Sequence, residues 1–460
     1  MISRRGFLSA AGGAALAGPM LRGAGAPPNI VMVFCDDLGY GDLGSYGSKI
    51  RTPNLDRMAA EGVRFTNFCS ADPVCSPSRA ALLTGRYPTR VGVPAVLFPQ
   101  DKGGLNRDET TLADVLKARS YRTMCIGKWH LGRPDEYLPT RRGFDEYFGI
   151  PYSNDMNPRV LMRNTEVIED PVGLDTLTPR YTDQAVRFIK ESKGAPFFLY
   201  LPHTYPHIPL GASPRFRGKS PLGLYGDVVE EIDWSVGEVL GALKQNGLDQ
   251  NTLVMFSSDN GPWYQGSPGK LRGRKNSTYE GGIREPFIAR WPGRIPKGRV
   301  SHALGSMMDV FPTVTKLAGG TLPSKPLDGI DLWPVLSGQK TSIDREVLLY
   351  FDRWDLQCAR WNNWKLHLQR HNSAPYTMAP AAGRQSFVLP RPELYNLESD
   401  PDESYDVAAQ NPQIVAQIAG RVRELMNGFP AEVQKAWADA EARKVFPDLP
   451  TGAWPRPPQN

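Results

Sequence analysis

Cysteine is scarce and scattered in this sequence. Five residues, at positions 35, 69, 75, 125 and 358 of 460, are too few and too unevenly spaced for a disulfide scaffold, although a single bridge stays open. Long apolar runs are missing as well: no stretch reaches the ~18 uninterrupted apolar residues of a membrane-spanning helix, so no span is expected in the mature chain. Charge of one sign is nowhere concentrated, and without a basic run of the kind that marks a nucleic-acid-binding arm, nucleic acid is not expected as a partner. Neither internal repeats nor long low-complexity tracts occur, which leaves an ordinary globular composition.

What is present begins with the first residues. Ser3-Arg4-Arg5-Gly6-Phe7-Leu8 precede a weakly apolar Ala/Gly stretch to Leu21 and the small-residue site Ala24-Gly25-Ala26, the pattern of a twin-arginine export signal. A buried first helix is the ordinary alternative, but Gly6, Gly12, Gly13 and Gly18 make poor helix core. Residues 1–26 are therefore expected to be removed, leaving a periplasmic or secreted protein. Without Arg4, Arg5 and Arg22, 51 basic residues face 48 acidic ones, a net charge of +3 that is compatible with an anionic substrate. Twin-arginine substrates cross the membrane folded, so covalent maturation of a cysteine would be completed in the cytoplasm.

The length and the 40% apolar content suit one large α/β core plus a smaller appended domain. Short apolar runs at 30–34, 123–126, 197–201 and 253–256 read as buried parallel strands. Between them, 110–118, 181–192 and 225–245 have helical character, the last with apolar spacing at Val228, Ile232, Val236, Val239, Leu240 and Leu243. Alternation of this kind predicts a mostly parallel sheet with helices on both faces, and a ligand site beyond the carboxyl ends of the strands. Residues 319–345 are rich in Gly, Pro and Ser and suit a connection. The division expected is 27–340 for the large domain and 341–460 for a small α+β domain. In the latter, 347–351, 364–368 and 393–397 form an antiparallel sheet, 412–426 a helix, and the last ten residues an extended tail.

Each of the four expected strands runs directly into groups suited to a metal or an anion: Asp36-Asp37, then Lys128 and His130, then His203 and His207, then Asp259-Asn260. Singly these have bland readings, as turn formers, helix caps or structural histidines. In a parallel sheet they converge on one edge, and there the carboxylates of Asp36, Asp37 and Asp259 repel unless a cation joins them. An all-oxygen set completed by the Asn260 amide fits a hard ion such as calcium or magnesium better than zinc.

The most informative segment is Pro73-Val74-Cys75-Ser76-Pro77-Ser78-Arg79-Ala80-Ala81-Leu82-Leu83-Thr84-Gly85. Pro77 suits a first helical turn and Gly85 a C-terminal cap, so Cys75 lies near a helix N-terminus, where free N–H groups favour an anion. Arg79, four residues on, shares its face. Spacing alone leaves this reading level with that of a buried structural cysteine.

The segment resembles the signature of the type I, formylglycine-dependent sulfatases, in the arylsulfatase A and N-acetylgalactosamine-6-sulfatase branches: Cys-x-Pro-Ser-Arg followed by Leu-Thr-Gly. The resemblance extends over Asp36 to Asp42, Gly127 to Gly132, Ser258 to Gly261, Lys275 to Pro286 and Glu393 to Pro401, nearly the whole mature chain. It implies an alkaline-phosphatase-like fold, one calcium ion bound by Asp36, Asp37, Asp259 and Asn260, and conversion of Cys75 to formylglycine by a maturation enzyme. It further implies that Arg79 holds the formylglycine and that Lys128, His130, His207 and Lys275 surround the sulfate. Because 197–201 anchors the alignment, His207 rather than His203 matches the family position. The implied proton roles are Asp259 toward the attacking hydroxyl, Lys275 or His207 as the acid, and His130 toward sulfate release.

The substrate expected is an aryl sulfate or a sulfated carbohydrate. A phosphomonoesterase or phosphodiesterase of the same fold is the alternative within hydrolases, though such enzymes usually assemble two transition metals. A non-catalytic binder of sulfated glycans is the alternative from another class. Specificity is expected from loops 88–106, 151–178, 263–274 and 351–392. Their aromatics, Tyr152, Trp263, Tyr264, Trp354 and Trp361, suit either stacking on sugars or packing between the domains.

Overall fold

The four uniformly apolar runs lie side by side at the centre of one large sheet, where neither face meets water. The structure, a computed structural model, describes residues 26–371 and 386–443. The export signal and the proline-rich tail fall almost wholly outside them. The large sheet contains β1 (Asn29–Cys35), β2 (Val63–Cys69), β3 (Arg122–Ile126), β4 (Glu146–Gly149), β5 (Leu161–Arg163), β6 (Glu166–Glu169), β7 (Phe197–Pro202), β8 (Thr252–Ser258), β9 (Arg284–Arg290), β10 (Arg299–Ser301) and β11 (Gly305–Ser306). Its order is β10-β2-β9-β8-β1-β7-β3-β4-β5-β6, with β11 also on β2. From β8 to β4 all neighbours are parallel, and antiparallel pairs flank that run at β8–β9 and β4–β5.

Register positions the functional edge. β1 pairs with both neighbours so that Ile30 faces Phe198 and Leu253, and Cys35 faces Ser258. β1 and β8 therefore end level, and the residues after each, Asp36-Asp37 and Asp259-Asn260, leave the sheet together. Every residue of β1 is buried, and each such Val, Ile or Phe contributes about 1.5–3 kcal/mol. The strand that carries the acidic pair is thus among the most firmly held parts of the chain. β3 joins the same edge through Gly127, whose φ of 129° and lack of a Cβ let it lie on the Pro202 carbonyl.

The helices follow the sequence pattern with shifted ends. Thr111 caps Leu112–Lys117, accepting from the Asp114 amide while Asp114 accepts from the Thr111 amide, so this helix starts two residues later than expected. Leu177–Glu191 and Gly223–Gln245 start earlier, and Pro412–Met426 matches the expectation. The helix of the Cys75 segment spans Cys75–Thr84, is buried along its whole length and stops at Gly85, whose φ of 70° supplies the left-handed cap.

The C-terminal unit is an antiparallel sheet in the order β12 (Leu348–Asp352), β13 (Asp355–Trp361), β14 (Trp364–His371), β15 (Ser386–Asn396). One continuous apolar core joins it to the large sheet, with Leu348, Tyr350, Leu366 and Ile418 in the same cluster as Phe34, Leu82 and Phe311. The connecting segment is itself partly built in: Gly329 donates to the Gly85 carbonyl at 3.0 Å, and Leu332, Val335 and Leu336 are buried. Strands β2, β9 and β13 escaped the sequence reading because polar residues interrupt their apolar ones, as in Val63-Arg64-Phe65-Thr66-Asn67-Phe68-Cys69. All five cysteines are free and buried, and no helix among the described residues is long and apolar enough to cross a membrane.

Candidate active site

Where the chain leaves β1, Asp37 turns it with a φ of 64°, a conformation Asp tolerates better than most residues. The Asp37 amide donates to Asp259 Oδ1 at 3.1 Å, and Asn260 Nδ2 donates to Asp37 Oδ1 at 2.8 Å. The exits of β1 and β8 thereby clasp each other, with Asp36, Asp37 and Asp259 all buried on one edge.

Three basic side chains meet these carboxylates. Lys128 pairs with Asp36 and reaches Ser153 Oγ at 3.1 Å. Lys275 Nζ lies 2.7 Å from Asp37 Oδ1 and donates to its Oδ2 at 2.9 Å. Arg79 places Nε and Nη2 on Asp259 Oδ2 at 3.1 and 2.8 Å, and donates through Nη1 to the Lys128 carbonyl at 3.0 Å. Burial alone would raise the Asp36 carboxyl, but Lys128 above all, with His207 and Arg79, holds it well below its ordinary value. Asp259 behaves oppositely: burial and the charge of Asp36 outweigh Arg79 and push it up to about 7. Its negative charge remains under-compensated.

That imbalance bears on a metal. Mutual repulsion of the carboxylates is already relieved by the three cations that stand among them, so repulsion alone does not require a metal. The Asn260 amide supplies a better argument: its Oδ1 is buried and accepts no hydrogen bond from any described residue, which costs free energy unless something fills the place. The ligand atoms of Asp36, Asp37, Cys75 and His207 also lie within 4.8 Å of one another. Of the two donor sets, the oxygen set of Asp36, Asp37, Asp259 and Asn260 contains the unsatisfied atom, and in the other the Cys75 thiol is held protonated. The residues fit a hard cation.

Cys75, first residue of its helix, sits within this cluster. Its thiol donates to Asp36 Oδ1 at 3.2 Å and receives Lys275 Nζ at 3.3 Å. Burial first, then the Asp36 charge, pushes the thiol well above its ordinary value. As a thiol it is a poor nucleophile there, while the surrounding cations and helix N-terminus suit an oxyanion.

The histidines separate by position. His130 Nε2 lies 2.9 Å from the Leu97 carbonyl, which can only accept, so that nitrogen carries the proton; Nδ1 has no partner among the described residues. His207 Nδ1 faces the Ile208 carbonyl at 2.5 Å, leaving Nε2 3.7 Å from Asp37 Oδ2. Burial, reinforced for His207 by Lys275 and for His130 by Lys128, holds both imidazoles below their ordinary value. His203 stands apart beside Tyr181, its pKa pushed down to about 3 by burial.

The structure thus gathers Asp36, Asp37, Cys75, Arg79, Lys128, His207, Lys275, Asp259 and Asn260 into one connected cluster, with His130 at its margin. Arg79 differs in detail, because its guanidinium is engaged by Asp259 and the Lys128 carbonyl. Sequence reasoning missed Ser153, whose Oγ lies 3.4 Å from His207 Nδ1 and 3.5 Å from its Nε2, and Asn154, whose Nδ2 donates to the His207 carbonyl at 3.1 Å. Both follow β4, so the rule that found the other residues applies, but β4 is too short to stand out.

Cavities of ≈ 600 and ≈ 630 Å³ lie away from the site, in the C-terminal unit and beside the Gly223–Gln245 helix. A pocket of ≈ 160 Å³ adjoins it, lined among others by Val74, Phe98, Asn276, Phe351 and Arg353. Of the rim aromatics, Tyr152 is buried against His130, whereas Trp354 and Trp361 pack on the core. Tyr264, 45% exposed, remains accessible.

Comparison with known proteins agrees with this geometry. The family model described as Sulfatase matches residues 28–320, and that described as C-terminal region of aryl-sulfatase matches residues 343–448. Arylsulfatase A of Homo sapiens is 40% identical over 458 residues, covering 90% of this chain and 89% of the relative. N-acetylgalactosamine-6-sulfatase of Canis lupus familiaris is 47% identical over 363 residues, 71% of this chain and 69% of the relative. The crystal structure of Ps i-CgsB in complex with k-i-k-neocarrahexaose superposes with a TM-score of 0.75 at 29% identity, covering 91% of this chain and 98% of that one.

Proposed function

Because this chain belongs to the sulfatase family and hydrolyses sulfate esters, we propose that it does so with a formylglycine made from Cys75 and one calcium ion held by Asp36, Asp37, Asp259 and Asn260. The observation that carries the reading is the placing of Cys75 Sγ, at a helix N-terminus, between Asp36 and Lys275. The thiol marks where the oxygens of formylglycine would stand.

Hydrated formylglycine supplies one hydroxyl that attacks sulfur and a second whose deprotonation expels sulfate and restores the aldehyde. Calcium, held by Asp36, Asp37, Asp259 and Asn260, would supply charge neutralisation at the sulfate oxygens. Around them the chain's own groups divide the work. Arg79 and Lys128 fix the orientation of Asp259 and Asp36, so that these carboxylates are preorganised. Asp259 takes the proton of the attacking hydroxyl. Lys275, held charged because Asp37, Cys75, Asp36 and Asp259 together outweigh the effect of burial, faces the sulfate, and either it or His207 serves the leaving oxygen as acid. His130, whose Nδ1 has no partner among the described residues, accepts the proton of the second hydroxyl. A His207→Ala enzyme that turns over at the native rate would remove His207 from the acid role.

We assign the substrate to sulfated carbohydrates. Supporting this are a relative named for N-acetylgalactosamine-6-sulfate and a fold neighbour determined with an oligosaccharide. Residues 27–340 form the catalytic domain and 341–460 the C-terminal domain in this reading. The twin-arginine pattern of residues 1–26 directs export to the periplasm or beyond after maturation by a formylglycine-generating enzyme. The test is the mass of tryptic peptide 65–79 from the native host: an aldehyde at Cys75 is expected, and a free thiol in a host that matures other sulfatases would overturn the mechanism.

A further inference from the structure

Lys275 sits on a segment without regular secondary structure, between the end of β8 at Ser258 and the short helix Glu280–Ile283. Such a segment must be held by something other than its own ladder of hydrogen bonds. Toward the nucleophile it is tied by the Asn276 amide, which donates to the Pro73 carbonyl at 2.9 Å. The Lys275 amide donates to the Pro262 carbonyl at 3.1 Å, and on both flanks of Lys275 further ties lead to the C-terminal unit. The Glu280 amide donates to Glu403 Oε2 at 2.6 Å, and Arg272 Nη1 donates to the Glu403 carbonyl at 2.8 Å. Arg272 lies 4.2 Å over the Tyr279 ring, which packs 4.9 Å from His367.

Beneath these contacts lies a fully buried ionic network. Lys365 Nζ donates to Glu280 Oε1 at 3.0 Å and lies 3.1 Å from Glu403 Oε1, which also meets His367 Nε2 at 2.7 Å. Arg360 donates to Glu280 Oε2 at 2.9 Å, where Arg284 Nε also donates at 2.6 Å. Glu280 and Arg284 come from the large sheet's side, and Arg360, Lys365, His367 and Glu403 from the C-terminal unit. If the only task were to join two domains, apolar packing of similar volume would serve as well, since buried ion pairs seldom outweigh their desolvation cost. What this network adds is fixed geometry at the two points that bracket Lys275.

We infer that Glu403, with Lys365 behind it, is a positioning residue for Lys275, so that the C-terminal domain sets the geometry of a group in the active site although it contributes none of the clustered site residues. The inference rests on Lys275 facing the sulfate as proposed above. Displacing a reacting group by about 1 Å costs on the order of 100-fold in rate, and Glu403→Gln removes the charge that orders Lys365 and His367 and weakens the tie to the Glu280 amide, while the Arg272 tie to the Glu403 main-chain carbonyl stays.

Two measurements on the full-length matured enzyme test it. Hydrogen–deuterium exchange is expected to rise about 10-fold or more over residues 271–280 in Glu403→Gln, with β1 unchanged; exchange that is unaltered, or raised everywhere, would overturn the inference whatever the substrate. Turnover of an aryl sulfate is then compared in native, Glu403→Gln, Lys275→Ala and doubly substituted enzymes. A roughly 10- to 100-fold loss of kcat/KM in the native background, absent in the Lys275→Ala background, is expected for an effect transmitted through Lys275. Equal losses in both backgrounds would show a general loosening and overturn it. Arg272→Ala, at an exposed side chain, repeats both measurements if Glu403→Gln does not fold, with the same pattern at smaller amplitude expected. A failure of the sulfatase chemistry would show separately, as a native enzyme inert toward aryl sulfate.

Discussion

Arg79→Met tests the electrostatic account of the site most directly, because it removes one charge at nearly constant volume. The guanidinium is fully buried, donates twice to Asp259 Oδ2 and once to the Lys128 carbonyl, and lies 3.7 Å from Asp36. Breaking a buried pair by deleting one partner costs about 3–5 kcal/mol, chiefly because the other charge is left uncompensated. The uncompensated partner here is Asp259, already pushed up to about 7 by burial and by Asp36. In the variant its pKa rises further, so at pH 8 folding must either keep an unpaired carboxylate or take up a proton. At pH 5 the group is protonated in both proteins, and Arg79 has less to neutralise. The loss of stability is therefore expected to be largest at pH 8 and smaller at pH 5. The assay is denaturant unfolding of metal-stripped native and variant protein at the two pH values, followed by fluorescence. A loss under about 1 kcal/mol at pH 8, the range typical of exposed pairs, or an equal loss at both pH values, would refute the reasoning.

Two further outcomes are expected. Calcium added to metal-stripped protein raises the unfolding temperature, by the equivalent of about 2.7 kcal/mol at a hundredfold excess over Kd. Asn260→Ala, which removes the unsatisfied Oδ1, blunts that rise; a native protein indifferent to calcium would remove the metal from the site. Asp42 is raised to about 6 by burial, against the hydrogen bonds it accepts from Tyr225, Gly39 and Ser267. A carboxyl raised in the folded state retains a proton that the unfolded chain has released, so its contribution is present below about pH 4 and lost as pH climbs to about 6. The stability of native protein relative to Asp42→Asn should accordingly fall by about 2 kcal/mol between pH 4 and pH 7, read by the same unfolding assay.

The parts of this protein legible in its sequence are those in which adjacent residues carry the whole signal. β1, β3, β7 and β8 are continuous apolar runs, and the groups that follow them arrive at the site because they are covalently next to a strand end. The Cys75 helix has its start and stop written within eleven residues, from Cys75 to Gly85. Tertiary structure alone decided the rest. The level register of β1 with β8 brings Asp37 to Asp259 across more than two hundred residues, and strand order, not local pattern, sets it. Ser153 was hidden behind a strand too short to announce itself. Lys275 meets Cys75 on a loop tied to Pro262 and Pro73 and, on its flanks, to the C-terminal unit, and the residues there, Glu403, Lys365 and His367, look like ordinary surface charges when read in line. Their burial depends on how the second sheet packs against the first, and long-range packing is a property of the folded chain that no local spacing encodes.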